Sequence, residues 1–248
     1  MLQEVEQRDP AVVERHIEKS QERLPGPPYY QVLRWIHEAL RPTNYVEIGI
    51  YTGWSLRMAL PDTRCIGIDP EPRLSERIPG TTVYELTSEE FFARHDLVEI
   101  LGARVALGFI DGLHRFEQVL RDFINLERLA QRAGVLLLHD SIPLDGPTSA
   151  RERLTDFHSG DVWKAALALA DRRPDLEMAT IRTAPTGLTM VRGLDAANES
   201  LERDLSEIVA CYLELDYNDY LASRERMPPE LANEEDAVAG WLAAHPAR

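Results

Sequence analysis

Cysteine is nearly missing from this chain: only Cys65 and Cys211 occur in 248 residues. Two thiols build neither a disulfide framework nor a four-cysteine zinc site, and a reducing interior is the natural compartment. Basic residues are also scarce, 27 Lys and Arg against 42 Asp and Glu, for a formal net charge of −15. Nucleic acid and anionic membrane surfaces are bound chiefly through Lys and Arg, so neither is expected as a partner. The excess of acid reads instead as a soluble, self-repelling surface. No run of about 18 apolar residues occurs, and the opening MLQEVEQRDP has neither a basic start nor an apolar signal core. A cytoplasmic protein is the expectation. Internal repeats and low-complexity tracts are lacking too, and the length suits one large domain with appendages.

What is present is an alternation of short apolar runs with amphipathic stretches. Four runs are nearly continuous, as strands buried on both faces should be: Tyr45 to Gly49, Cys65 to Asp69, Val105 to Asp111 and Gly134 to Asp140. A weaker fifth, Thr82 to Leu86, fits between the second and third. Between them lie helical patterns, the clearest placing Phe116, Val119, Leu120, Phe123 and Ile124 on one face. Alternating strands and helices predict a parallel sheet covered on both sides. After Asp140 comes a helix in GDVWKAALALADRR, then two strands, LEMATIRT and GLTMVRG, joined by Ala184, Pro185 and Thr186. So short a connection permits only an antiparallel hairpin. The fold class is therefore α/β, doubly wound, with a seven-stranded, mostly parallel sheet. Terminal helices are expected from Gln31 to Leu40, from Leu201 to Tyr212 and from about Asn233 to Ala244.

Ligands of open α/β sheets bind beyond the carboxyl ends of the parallel strands, so the residues closing each run are the candidates. The first run continues as VEIGIYTGWS, with Gly49 and Gly53 four apart before an expected helix. Glycine permits a tight turn and close ligand approach, and a helix start supplies unpaired amides. The same pattern also serves as an ordinary strand-to-helix turn. Asp69 ends the second run 22 residues after Glu47, where an acid would chelate the ribose hydroxyls of an adenosyl cofactor or a dinucleotide. The glycines do not form G-x-G-x-x-G, and Glu47 inside the strand is foreign to that dinucleotide fingerprint.

Two longer blocks carry a resemblance. VEIGIYTGWSLRMALP followed by CIGID resembles motif I and the next acidic motif of the catechol and caffeoyl-CoA O-methyltransferases. FIDGLHRFEQVLRDF followed by GVLLLHDSIP is similar to the bacterial macrolide-sugar and rhamnosyl O-methyltransferases. The likeness runs from about Tyr45 to Gly193 and implies a class I, Rossmann-like, S-adenosylmethionine-dependent methyltransferase. It divides the chain into an N-terminal helical addition (1–42), a cofactor-binding core (43–193) and a C-terminal helical addition (194–248). The implied acceptor is a hydroxyl of a small molecule such as a sugar, glycoside or phenol. A hydroxylase-like enzyme on the same scaffold and a catalytically silent cofactor-binding protein are the alternatives.

The resemblance places Glu47, Gly49, Thr52, Gly53 and Ser55 around the methionine part of the cofactor and Asp69 on its ribose. Ser88 falls near the adenine, or is a plain helix N-cap ahead of Glu89 and Glu90. Asp111 and Asp140 fall where related enzymes hold a divalent cation, Asp111 bordering the cofactor as well. The usual third ligand is an Asn or Asp beside the fifth-strand Asp, whereas here the neighbours are His139 and Ser141. A ligand set of Asp111, His139 and Asp140 favours Mn or Fe over Mg; a packed strand-end histidine is the other reading of His139. His114 is the candidate base, or a surface or capping residue. Asp161, Trp163 and Lys164 form either an acceptor wall or helix-to-sheet packing. The helical additions, with Tyr212, Leu213 and Tyr220, suggest a lid or a homo-oligomer contact.

Overall fold

The structure is a computed structural model describing residues 10–244. The outer ends of both expected additions, residues 1–9 and 245–248, lie outside the described residues. Eight strands form one sheet: β1 (Asn44–Ile48), β2 (Arg64–Ile68), β3 (Thr81–Tyr84), β4 (Val105–Ile110), β5 (Ala130–His139), β6 (Glu177–Ile181), β7 (Leu188–Arg192) and β8 (Glu230–Leu231). Their order is β3-β2-β1-β4-β5-β7-β6-β8. The expected hairpin is there, and its second strand slots against β5, so only β7 runs against the rest. The strand count differs from the expected seven because two residues, Glu230 and Leu231, pair parallel with the outer edge of β6. A pairing that short leaves no periodic trace in a sequence.

Register decides where the site forms. Ile48 stands opposite both Ile68 and Ile110, and Ile110 opposite Leu138. The residues that follow, Gly49, Asp69, Asp111 and His139, therefore lie level along one edge. His139 in turn pairs with Leu188, which brings the turn between β6 and β7 to that same edge.

Helices α1 (Pro10–Arg23), α2 (Tyr29–Leu40), α3 (Ser88–Arg94), α4 (Leu97–Leu101), α5 (Phe116–Leu129), α6 (Trp163–Arg172), α7 (Ser200–Tyr212), α8 (Tyr217–Ala222) and α9 (Glu235–Ala243) complete the described chain. One face of the sheet is closed by α5, α6 and α7. Phe116, Val119, Leu120, Phe123 and Ile124 of α5 are all buried there, as their spacing predicts, a burial worth about 10 kcal/mol before entropy is counted. The other face is covered by Val32, Leu33 and Ile36 of α2 together with Val238 of α9. The two terminal additions thus meet over the sheet. Helix α2 ends at Arg41, which takes a left-handed φ of 43° just before Pro42.

Three expectations change. The helix expected after β1 is a single 3-10 turn, Leu56–Met58, because Pro61 disfavours helical backbone at Leu60 and Arg64 already begins β2. Any amides offered to a ligand there belong to a loop rather than a helix start. Trp163 is 1% exposed and packs against Tyr220, with ring centroids 5.4 Å apart, so it is core and not acceptor wall. Tyr212 and Tyr220 are likewise absorbed by the chain's own core, with Leu213 packed against it. As subunit contacts they carry no weight.

Candidate active site

Asp111 follows β4, His139 ends β5 and Asp140 follows it, so the level strand ends bring three potential ligands together. One donor atom from each lies within 4.8 Å of the others. His139 Nδ1 is 3.0 Å from Asp111 Oδ1 and 3.5 Å from Asp140 Oδ1. A carboxylate only accepts, so Nδ1 carries the proton, while His139 Nε2 is buried with no partner. Burial alone would lower the His139 pKa, but the charges of Asp111 and Asp140 outweigh it and push it up to about 10. Burial would raise that of Asp140, yet the facing His114 and His139 hold it below the ordinary carboxylate range. Asp140 also takes a left-handed φ of 56°, a conformation costing roughly 1–3 kcal/mol that surrounding contacts must hold. One of those contacts is a hydrogen bond donated by Thr186 Oγ1 to Asp140 Oδ1.

His114 stands across from these groups, two residues ahead of α5. Its Nδ1 lies 2.8 Å from the carbonyl oxygen of His158, which can only accept. That contact fixes the proton on Nδ1 and leaves Nε2 facing Asp140 Oδ2 at 3.3 Å and Asp111 Oδ1 at 3.9 Å. The segment behind it is closely fitted. Gly160 has φ +59°, and a Cβ there would stand 1.9 Å from the His114 carbonyl oxygen. Asp161 is 1% exposed and accepts from the Phe116 amide at 3.0 Å, capping the start of α5.

The loop after β1 borders the cluster. Gly49 has φ +85°, and a side chain there would meet the Asp111 carbonyl oxygen at 2.2 Å. Asp69 Oδ2 accepts from the amides of Ile50 at 2.9 Å and Tyr51 at 2.8 Å, and Oδ1 from Glu71 at 2.8 Å. Asp69 therefore pins the glycine loop from the next strand end. Glu47 is fully buried, accepting from Tyr45 Oη at 2.7 Å and from Ser55 Oγ. Burial pushes its carboxyl up to about 8, so a neutral acid sits under the loop at neutral pH. Thr52 is half-buried, and Gly53 turns with φ +75°.

The match with known proteins covers this same stretch. Residues 46–141 match the family described as "Methyltransferase domain". Over those residues the chain is similar to that family. Among solved structures the chain is similar to the O-methyltransferase TomG of Streptomyces achromogenes, involved in tomaymycin synthesis and solved with SAM. Identity is 16%, TM-score 0.50, covering 76% of this chain and 92% of that one. It is also similar to cofactor-bound Rv0187 from MTB, at 17% identity and TM-score 0.52, covering 75% of this chain and 91% of that one. No curated protein matches the chain in sequence.

Within the matched stretch, Ser88 is not the N-cap of α3. That role belongs to Thr87, which forms a capping box with Glu90. Ser88 is instead buried at the first helical position, with Oγ accepting from Gln118 Nε2 at 3.1 Å. Lys164, 3% exposed, donates to Asp161 Oδ2 at 3.1 Å and to the Leu213 carbonyl at 2.8 Å. Asp161 and Lys164 are thus internal links of the α5–α6 face. A cavity of about 660 Å³ between residues 146–151, α6 and residues 213–218 contains none of the strand-end acids.

Three site neighbours escape sequence reasoning. Thr186 lies in the hairpin turn, and recognising that β7 must pair with β5 would have found it. The His158 carbonyl and Tyr29, whose ring lies 4.3 Å from that of His139, carry no signal in the sequence, since each arrives on a segment remote in the chain.

Proposed function

We propose that this chain transfers the methyl group of S-adenosylmethionine to a hydroxyl oxygen of a small molecule, assisted by a divalent cation. The observation that carries the reading is the convergence, on one sheet edge, of the Asp111, His139, Asp140 and His114 cluster with the loop pinned by Asp69. In this reading residues 43–193 are the catalytic core, and 1–42 and 194–248 are its additions, supported by their packing over the sheet. The two cysteines, both free, support a cytoplasmic setting, and no helix among the described residues is long and apolar enough to cross a membrane.

Glu47, Gly49, Thr52, Gly53 and Ser55 border the methionine end of the cofactor, Asp69 its ribose and Ser88 its adenine. Asp69 has already spent three acceptor positions on backbone amides, which leaves about one of the four of a carboxylate for a ribose hydroxyl. The residues present fit a divalent cation: the carboxylates of Asp111 and Asp140 and the His139 ring, whose Nδ1 faces both, form a mixed O/N donor set. When bound by Asp111, His139 and Asp140, the cation lowers the cost of the acceptor alkoxide.

The chain's own contribution is position and proton transfer. The acceptor oxygen forms the new C–O bond as the C–S bond breaks, and the sulfur keeps that electron pair as a neutral thioether. The hydroxyl proton goes to His114 Nε2, the nitrogen left open by the His158 carbonyl, and is then shared with Asp140 Oδ2. Calorimetric titration with S-adenosylmethionine, S-adenosylhomocysteine and NAD tests the cofactor half of the reading. The first two bind and NAD does not; the reverse pattern overturns it.

A further inference from the structure

Seven large apolar side chains are conspicuously exposed among the described residues: Ile17, Tyr30, Tyr51, Trp54, Leu113, Leu154 and Leu221. All but Leu221 belong to segments that reach the carboxyl edge of the sheet. Tyr51 and Trp54 follow β1, Leu113 follows β4 and precedes His114, and Leu154 is in the long connection after β5. Contacts tie the others to the same edge. The Arg115–Glu152 ion pair at 3.2 Å brings the Leu154 segment to the Leu113 turn. Phe157 stacks on His16, beside Ile17, at 5.6 Å. Tyr30 packs on Tyr29 at 4.8 Å, and Tyr29 lies on His139. Trp54 and Leu154 are each 67% exposed and Leu113 is 60% exposed. Apolar side chains left in water in this number, on segments that meet at the edge carrying the acid and histidine cluster, mark a surface that a ligand covers.

The charges on these segments narrow the ligand. Arg57 faces Glu76 at 3.3 Å, Arg73 faces Glu71 at 3.5 Å, Arg115 faces Glu152, and Lys19 faces Asp145. Arg153 donates to the Asp156 carbonyl at 3.1 Å. These cations are turned onto the chain's own acceptors, Arg15 and Arg77 are exposed without one among the described residues, and the floor of the site is acidic. Phosphate recognition needs open Arg or Lys groups or free helix amides.

We infer that the acceptor is a hydroxyl compound with an extended, uncharged apolar body that lies on this rim, and not a nucleotide- or coenzyme A-linked conjugate. The inference rests on the methyl-transfer reading for its hydroxyl; its apolar rim stands on the exposed side chains alone.

Two probe series test it, each keeping the hydroxyl group and varying the appendage: methyl rhamnoside, octyl rhamnoside and TDP-rhamnose, and catechol, 4-octylcatechol and caffeoyl-CoA. Binding to protein saturated with S-adenosylhomocysteine is measured by calorimetry, and turnover with S-adenosylmethionine separately. In at least one series the octyl compound binds ten or more times tighter than the short parent and the phosphate-bearing member. Replacing Leu113→Ser and Leu154→Ser together abolishes that gain and leaves the parent compound's affinity and the melting temperature unchanged. Equal or tighter binding of TDP-rhamnose or caffeoyl-CoA overturns the inference, as does an octyl gain that survives the double substitution. A rim serving a protein partner leaves all six compounds unbound, which overturns it as well. Octyl binding without any turnover leaves the rim in place and removes the methyl-transfer reading.

Discussion

His37 is fully buried on α2, edge-on to Tyr45 with centroids 4.7 Å apart, and neither of its ring nitrogens has a hydrogen-bond partner. Burial, helped by the charge of Arg34, lowers its pKa from 6.5 to about 4. Below pH 6.5 the unfolded chain therefore binds a proton that the folded chain refuses. Stability from this group is complete above the unfolded pKa and is lost as pH falls towards 4, a displacement worth about 3 kcal/mol. His37→Leu should flatten the stability profile between pH 7 and 4.5 in urea titrations; an unchanged slope removes His37 as its cause. His114 makes a different prediction. His114→Ala should lower turnover roughly 100-fold or more, as loss of a general base does, without altering metal content by elemental analysis. Full turnover in this variant shifts the proton to another acceptor. Asp69→Ala should weaken S-adenosylhomocysteine binding about tenfold or more, since charge-assisted bonds are worth about 1.5–3 kcal/mol. Unchanged affinity in the folded variant removes Asp69 from the cofactor site.

The helices are joined by charge as well as by apolar packing. Arg173, 1% exposed at the end of α6, makes two bonds to Glu127 of α5 at 2.8 and 2.9 Å and is also bonded to Asp175. Removing one partner strands a buried charge, so Glu127→Ala should cost about 3–5 kcal/mol in denaturant unfolding. A loss below 1 kcal/mol would mean that Asp175 alone neutralises Arg173. Elements of this kind divide by how legible they are. The buried strands, α5 and the β6–β7 hairpin announce themselves, because continuous apolar runs, 3.6-residue periodicity and a short connection each admit few structures. Helix α1 does not: it buries only Ser20 and docks through Lys19, Arg23 and His16 on the segment after β5. The missing helix after β1 is a competition between glycine-led entry and Pro61, which proline wins. The placement of candidate groups is legible where they sit at strand ends, as Asp69, Asp111, His139 and Asp140 do. It is hidden where the group is a backbone carbonyl, as at His158.

Across the whole molecule, register converts four separate strand ends into one site, and α2 and α9 of the terminal additions share the sheet's far face. The central claim is that this edge moves a methyl group to oxygen with the aid of a cation. The most direct measurement follows S-adenosylhomocysteine release and the methylated product in protein supplied with Mn²⁺ and the hydroxyl probes. The same reaction is run beside it in excess EDTA and with Asp140→Ala. The account predicts equal amounts of S-adenosylhomocysteine and O-methylated product in the first reaction. In the other two it predicts no turnover, with S-adenosylhomocysteine still bound. Full turnover in EDTA and in Asp140→Ala, or a methyl group found on nitrogen or carbon instead of oxygen, would contradict it.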